Sequence, residues 1–146
     1  TKRREILSKG VLNGWTLDLA SARKLGMKPT ANASRSVSST SSPTNWNIEL
    51  SSPKDYCDNL LSEMRNGLLV TSLIGSTINP NTGDYSRGVS GFWVEDGQIC
   101  YPVSEVTIAG NLRDMLKKII LGNDAQRHLQ YVVPSILVED MTLAGS

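Results

Sequence analysis

One histidine, His128, and two cysteines, Cys57 and Cys100, are the softest metal ligands and the natural bases and thiols of this 146-residue chain. A zinc site needs three or four His, Cys or carboxylate ligands, usually in paired spacings such as HExxH, and no such spacing occurs. Ser-His-Asp or Cys-His catalysis would have to use His128 as its base. That residue lies in the polar run 124–130 with neither cysteine near it in sequence, which predicts an exposed loop histidine. The glycines form neither a GxGxxG after a strand nor a Walker loop, so nucleotide binding has no signature. Carboxylates such as Asp84, Glu95 and Asp140 are present, and their spacing does not decide whether any two converge. No catalytic residue and no metal ligand set is assigned within the chain.

The densest run of polar chemistry is 79–88, NPNTGDYSRG, with Asn79, Thr82, Asp84, Tyr85 and Arg87 as candidate contact residues. Pro80 and Gly83 restrict its backbone, and Tyr85 stands between Asp84 and Arg87. Two readings stay open: a structural turn with a local Asp84–Arg87 pair, or a loop that contacts a substrate or partner. Loops held by rigid strands are where such contacts usually fall.

The elements that would hold this run follow from pattern. Residues 68–74 are continuously apolar and short, which predicts a strand buried on both faces. Asp96-Gly97 separates GFWVE from QICYPV and favours the positive φ values of a type I′ hairpin. A two-residue loop there predicts the pairs Glu95–Gln98, Val94–Ile99, Trp93–Cys100 and Phe92–Tyr101. Phe92, Val94, Ile99 and Tyr101 would then share one face, with Trp93 and Cys100 on the other and both faces covered. Residues 105–110 predict a further strand. Asn111 caps a helix whose Leu112, Met115, Leu116 and Ile119 face inward while Lys117 and Lys118 face water.

Upstream, 10–17 predicts a strand, Asp18 caps a helix over 19–25 and Gly26 ends it. Residues 30–45 contain little beyond Ser, Thr, Asn and Ala, with too little apolar area to offset ordering, and predict a mobile loop. Trp46, Ile48 and Leu50 alternate with polar residues as in a half-buried strand. Ser52, Pro53 and Asp55 form a complete helix start, followed by a core stripe of Tyr56, Leu60, Leu61 and Met64. Short terminal strands are expected over 132–138 and 141–144. The sum is an α+β domain of mainly antiparallel sheet, able to curl into a barrel-like form, with two or three packed helices.

Composition bounds the function. Fifteen basic and fourteen acidic residues give a net charge of +1, so no global field recruits nucleic acid or anionic lipid. No apolar run approaches the roughly 20 residues of a membrane span. The cysteines predict reduced, packed thiols rather than a disulfide, as in a cytosolic protein. The opening TKRRE without a methionine predicts a fragment.

The stretch NPNTGDYSRGVSGFWVEDGQICYPVSEVTIAGNLRDM resembles the C-terminal signature of the TldD/PmbA, or "modulator of DNA gyrase", family. SARKLGM at 21–27 and PSILVEDMTLAG at 134–145 resemble further blocks of it in the expected order. Together they cover about two thirds of the chain. The resemblance implies that residues 1–146 form a C-terminal domain whose upstream domain lies outside this sequence. In that family one subunit type carries a zinc-binding histidine helix upstream and a cysteine ligand near its C-terminus, in a Gly-Thr-Cys-Gly context. Here 125–134 contains no cysteine, so the chain resembles the PmbA (TldE) type, which lacks metal.

The resemblance further implies a cytoplasmic peptidase acting on small or unfolded peptides, with zinc in a TldD-like partner subunit. This chain would scaffold, pair with that partner or with itself, and position peptide, with residues 79–88 lining the channel or the interface. A nucleic-acid-associated regulator is the alternative suggested by the family's older name, and the near-zero charge and missing basic stripe oppose it. A self-contained Ser or Cys hydrolase is opposed by the lone histidine.

Overall fold

The computed structural model of the chain describes residues 2–51 and 56–145. In chain order the elements are β1 (Leu7–Ser8), β2 (Val11–Leu12), α1 (Leu19–Leu25), β3 (Ala33–Ser34), β4 (Ser42–Pro43), β5 (Ile48–Glu49) and α2 (Leu60–Met64). They continue with β6 (Gly67–Ile78), β7 (Asp84–Glu95), β8 (Gln98–Asn111), α3 (Leu112–Met115), β9 (Ile119–Leu121), β10 (Tyr131–Val132), β11 (Ile136–Val138) and β12 (Thr142–Ala144). Strand outweighs helix, 43% against 12%, and the pairing is mostly antiparallel, which makes this the expected α+β domain. The chain divides into two compact units, Thr1–Glu49 with His128–Val132, and Leu50–Arg127 with Val133–Ser146.

In the first unit, β1 and β2 form a small antiparallel pair, β3 and β4 another, and β5 runs parallel to β10. Helix α1 has the predicted ends. Asp18 accepts from the Ser21 N–H at 2.8 Å, and Gly26 takes a left-handed conformation (φ 63°). Asp18 is itself buried, beside buried Leu17 and Ala22. The strand expected over 10–17 shrinks to Val11–Leu12, and the tract 30–45 carries the β3–β4 pair where a loop was expected. Trp15 and Trp46 remain more than half exposed.

The second unit is built on an open four-stranded sheet of order β12-β8-β7-β6. The barrel-like option is therefore not taken among the described residues. β6 ends the order, and its outer edge has no strand partner among the described residues. Asp96 (φ 48°) and Gly97 (φ 75°) adopt the paired positive φ values expected of the turn joining β7 to β8.

The hairpin register holds for two pairs, Glu95–Gln98 and Val94–Ile99, and then slips. One extra residue, Cys100, bulges out of β8, so Trp93 pairs with Tyr101 and Phe92 with Pro102. This corrects the predicted faces, because Tyr101 moves to the side of Trp93. A second bulge near Glu105 (φ 58°) keeps 98–111 as one long strand where two were expected. The hairpin is not covered on both sides either. Val94 is fully buried, yet Phe92, Ile99 and Tyr101 are exposed. Likewise β6 is half-buried at its start, while Leu73 and Ile74 are 47% and 63% exposed, because an edge strand lacks a neighbour to cover it.

Val89 and Val94, both with no exposed surface, stand on opposite faces of β7 and centre the core of this unit. Helix α3 is a single short turn capped by Asn111. Ile119 has already left it for β9, which pairs with β11, and Leu116 is 64% exposed. Lys118 does not simply face water but pairs with Asp140 at 2.6 Å. The helix start predicted at Ser52, Pro53 and Asp55 lies outside the described residues, and α2 is capped instead by Asn59. Leu60, Leu61 and Met64 are half-buried and line a groove rather than a closed core.

Candidate functional site

The turn between β6 and β7 is fixed by Asn79. Its side-chain oxygen accepts from the backbone N–H groups of Asn81 (3.0 Å) and Thr82 (3.3 Å). Its main chain closes the same loop, donating to the Asp84 carbonyl at 2.9 Å and accepting from the Gly83 N–H at 2.8 Å. An Asn side chain bonding backbone two residues on is what makes Asn favourable at such turns. Gly83 takes φ 85°, a left-handed conformation that suits glycine.

Thr82 and Asp84 hold each other. The Thr82 hydroxyl donates to Asp84 Oδ2 at 2.6 Å and accepts from the Asp84 N–H at 3.3 Å. Asn111 completes the cluster from β8. Its Nδ2 donates to the Thr82 carbonyl (3.0 Å) and to Asp84 Oδ1 (3.3 Å), and its Oδ1 accepts from the Arg113 N–H (3.1 Å). One amide thus caps α3 and ties down the β6–β7 turn. Sequence reasoning found the cap and missed the tie, since nothing in one dimension places residue 111 beside residue 82.

The five candidate residues therefore separate into two groups. Asn79, Thr82 and Asp84 form the polar turn. Tyr85 and Arg87 lie along β7 on the face that also carries Val89, and no ion pair joins Arg87 to Asp84 among the described residues. The local Asp–Arg pair of the structural-turn reading is thus not made among the described residues, because residues 84 and 87 point to opposite faces of β7 and Asp84 is engaged by Thr82 and Asn111. Arg87 is half-buried opposite Ile108, and its Nε is sealed from solvent without a hydrogen-bond partner. A buried donor left unmade carries a penalty, so this position stands out among the described residues.

Tyr85 opens onto the groove of the second unit, a cleft of about 810 Å³ between the four-stranded sheet and the layer of α2 and β11. Leu73, Ile108 and Leu143 line it from the same sheet face. At its other side, Asp124 accepts from the Ser135 N–H (2.7 Å) and hydroxyl (2.5 Å), and Asp58 accepts from Asn123 Nδ2 (2.6 Å). The hydroxyl and N–H of Ser135 hold the Asp124 carboxyl below the usual carboxylate range. Neither aspartate was singled out in the sequence, because the partner of Asp124 lies 11 residues away and that of Asp58 lies 65 away.

Among the described residues the remaining donors stand apart from one another. His128 is exposed and has no hydrogen bond to a serine or cysteine among the described residues. Cys100 is exposed rather than packed, Cys57 is half-buried, and both are free thiols. Among the described residues no three His, Cys, Asp or Glu side chains come together as metal ligands. The donors described offer no ligand set for zinc. No helix is long and apolar enough to cross a membrane.

Comparison with known proteins gives a consistent pattern. The family described as "PmbA/TldA metallopeptidase C-terminal domain" matches residues 1–145. The Metalloprotease PmbA of Escherichia coli O157:H7 is 44% identical over 146 residues, covering 99% of this chain and 30% of that protein. The Metalloprotease TldD homolog of Buchnera aphidicola is 23% identical, over 97% of this chain and 33% of its own length. A crystal structure from Bacteroides thetaiotaomicron, solved under the name of a modulator of DNA gyrase, superimposes with a TM-score of 0.81. It is 31% identical, over 100% of this chain and 31% of that one. The chain thus spans about a third of the length of the relatives it matches.

Proposed function

The chain belongs to the PmbA/TldD metallopeptidase family as its C-terminal domain, and from that membership we propose that it serves a PmbA-type subunit as a scaffold without metal. In this reading it pairs with a TldD-like subunit that carries the zinc, or with itself, in the cytoplasm. It encloses small or unfolded peptides and positions them, while cleavage takes place outside this domain. The observation that carries the reading is the gap between 44% identity to a PmbA and 23% to a TldD homolog over nearly the whole chain. The scattered donors of His128, Cys57 and Cys100 agree with it.

The 79–88 turn supplies the positioning. Its backbone is held by Asn79 and Asn111, so the side chains of Thr82 and Asp84 are fixed before any peptide arrives, which limits the ordering cost of binding. Tyr85 and Arg87 offer a ring and a cation on the sheet face beside the groove. Strand edges such as β6 can add main-chain hydrogen bonds to an extended peptide.

The test is cleavage of a short unstructured peptide by the full-length subunit paired with its zinc-bearing partner. Asp84→Asn and Arg87→Gln should lower the rate by about fivefold or more, on the order of 1 kcal/mol of transition-state stabilisation. Lys117→Ala, an exposed residue just beyond α3, should leave the rate unchanged. Melting curves are recorded beside each assay. Losses that merely track the melting temperature would make the turn structural and remove it from the site.

A further inference from the structure

The groove of the second unit has a one-sided charge. Its described lining includes five carboxylates, Asp58, Glu63, Asp124, Glu139 and Asp140, and no lysine, arginine or histidine. Only Asp140 has an ion-pair partner among the described residues, Lys118. Asp58 and Asp124 are held by neutral donors, Asn123 and Ser135, which orient the charge without cancelling it. The floor is apolar, with Leu68, Leu73, Ile108 and Leu143. The surrounding unit carries the same sign, with seven basic against eleven acidic residues in its sequence. A nearly neutral chain thus conceals an acidic cleft.

An apolar floor rimmed by carboxylates, of which only Asp140 is ion-paired among the described residues, sets the chemistry of its occupant. Cationic side chains on the occupant meet the carboxylates, its apolar side chains cover the floor, and an acidic segment of equal size meets like-charge repulsion. We propose that this groove docks a polypeptide segment that alternates basic and apolar residues, and that it selects peptides by charge. The proposal rests on the reading that this domain positions peptides, and it deepens that reading by naming the class of peptide. Glu63 on α2 and Glu139 beyond β11 stand on the two elements opposite the sheet and act as the specificity-determining residues.

The experiment measures binding without cleavage, by fluorescence anisotropy on the full-length protein. The probes are a labelled ten-residue peptide alternating Lys and Leu and its counterpart alternating Glu and Leu. The Lys/Leu peptide should bind at least about tenfold more tightly. That preference should shrink as salt rises from 50 to 300 mM, because screening shortens the reach of exposed charge. The double variant Glu63→Gln, Glu139→Gln should weaken the Lys/Leu peptide by about fivefold with its melting temperature retained. Glu63→Lys should shift the preference toward the Glu/Leu peptide, which guards against a variant that merely folds less well.

Equal binding of both peptides, or no response to either variant, overturns the proposal. So does concentration-dependent self-association in sedimentation that blocks the Lys/Leu peptide, which would mean a second copy fills the groove. Loss of paired-subunit cleavage in Asp84→Asn only in step with stability, with charge selection intact, would count against the proposed turn and not against the groove. The reverse pattern would count against the groove alone.

Discussion

At the β6–β7 turn a single amide carries three hydrogen bonds, and its removal tests how far local capping and long-range tying act together. Asn111→Ala strips the Arg113 N–H of its cap and removes the Asn111 donor from Asp84 Oδ1 and from the Thr82 carbonyl, while the Thr82 hydroxyl still donates to Asp84 Oδ2. Loss of an N-cap costs about 1 kcal/mol, and the lost ties add a comparable amount, so a total of about 2 kcal/mol is expected. Asn111→Asp keeps the capping oxygen but places a second carboxylate beside Asp84 and cannot donate. It should recover at most half of the loss. Urea unfolding of the two variants separates these cases, since an aspartate variant as stable as the parent would show that only the cap matters. The cap was legible in the sequence as Asn before a short amphipathic run. The tie was not, because it depends on β8 returning beside the turn.

At the scale of elements, the β6–β7 pairing depends on how closely the two backbones approach at Gly91. A Cβ built there would stand 1.9 Å from the Leu69 carbonyl oxygen and 3.1 Å from the Val70 Cα, both main-chain atoms that cannot move aside without parting the strands. At Gly88, three residues earlier on β7, a Cβ would meet Ile74 at 3.7 Å, an ordinary contact. Gly91→Ala is therefore expected to cost about 3 kcal/mol or more, and Gly88→Ala less than about 1. Thermal melts of the pair provide the check, and similar stability of the two would mean that the strands separate easily. The turn and the strands of this hairpin were readable from Asp96-Gly97 and its flanks. The Cys100 bulge was not, because a one-residue slip leaves the apolar composition unchanged while moving Tyr101 to the other face.

At the scale of the whole molecule, three carboxyls spread along the chain tie its stability to pH. Asp18 is held below its ordinary range by the Ser21 N–H, Asp124 by the Ser135 hydroxyl and N–H, and Asp140 by hydrogen bonding and charge from Lys118. A folded pKa below the unfolded one means that the folded state releases these protons more readily. Their contribution is then fully present above the unfolded value, about 4, and is lost as pH falls through the lower folded values. The partner effect on Lys118 has the opposite sense. Its raised pKa gives a contribution present below its unfolded value and lost only in strong alkali. The urea midpoint should be insensitive to these groups between pH 5 and 7 and fall below about pH 4. Asp124→Asn should flatten that acid limb, and an unchanged limb would exclude Asp124 from it.

Sequence alone determined what depends on neighbours in the chain. The Asp96-Gly97 turn, the Asp18 and Gly26 ends of α1 and the Asn111 cap are dictated by backbone preference and by side chains a few residues away. The alternating and continuous apolar runs dictated the strands, and family membership followed from the same residues. Tertiary structure decided what depends on distant segments. It set the open sheet with β6 at its edge, turned the Leu60, Leu61 and Met64 stripe into a groove wall, and put Asp84 and Arg87 on opposite faces of β7 with Asp84 bonded to Asn111. It also gathered an acidic cleft from residues 58 to 140 in a chain of net charge +1. Charge balance sums over the chain, whereas a field depends on which charges the fold sets side by side.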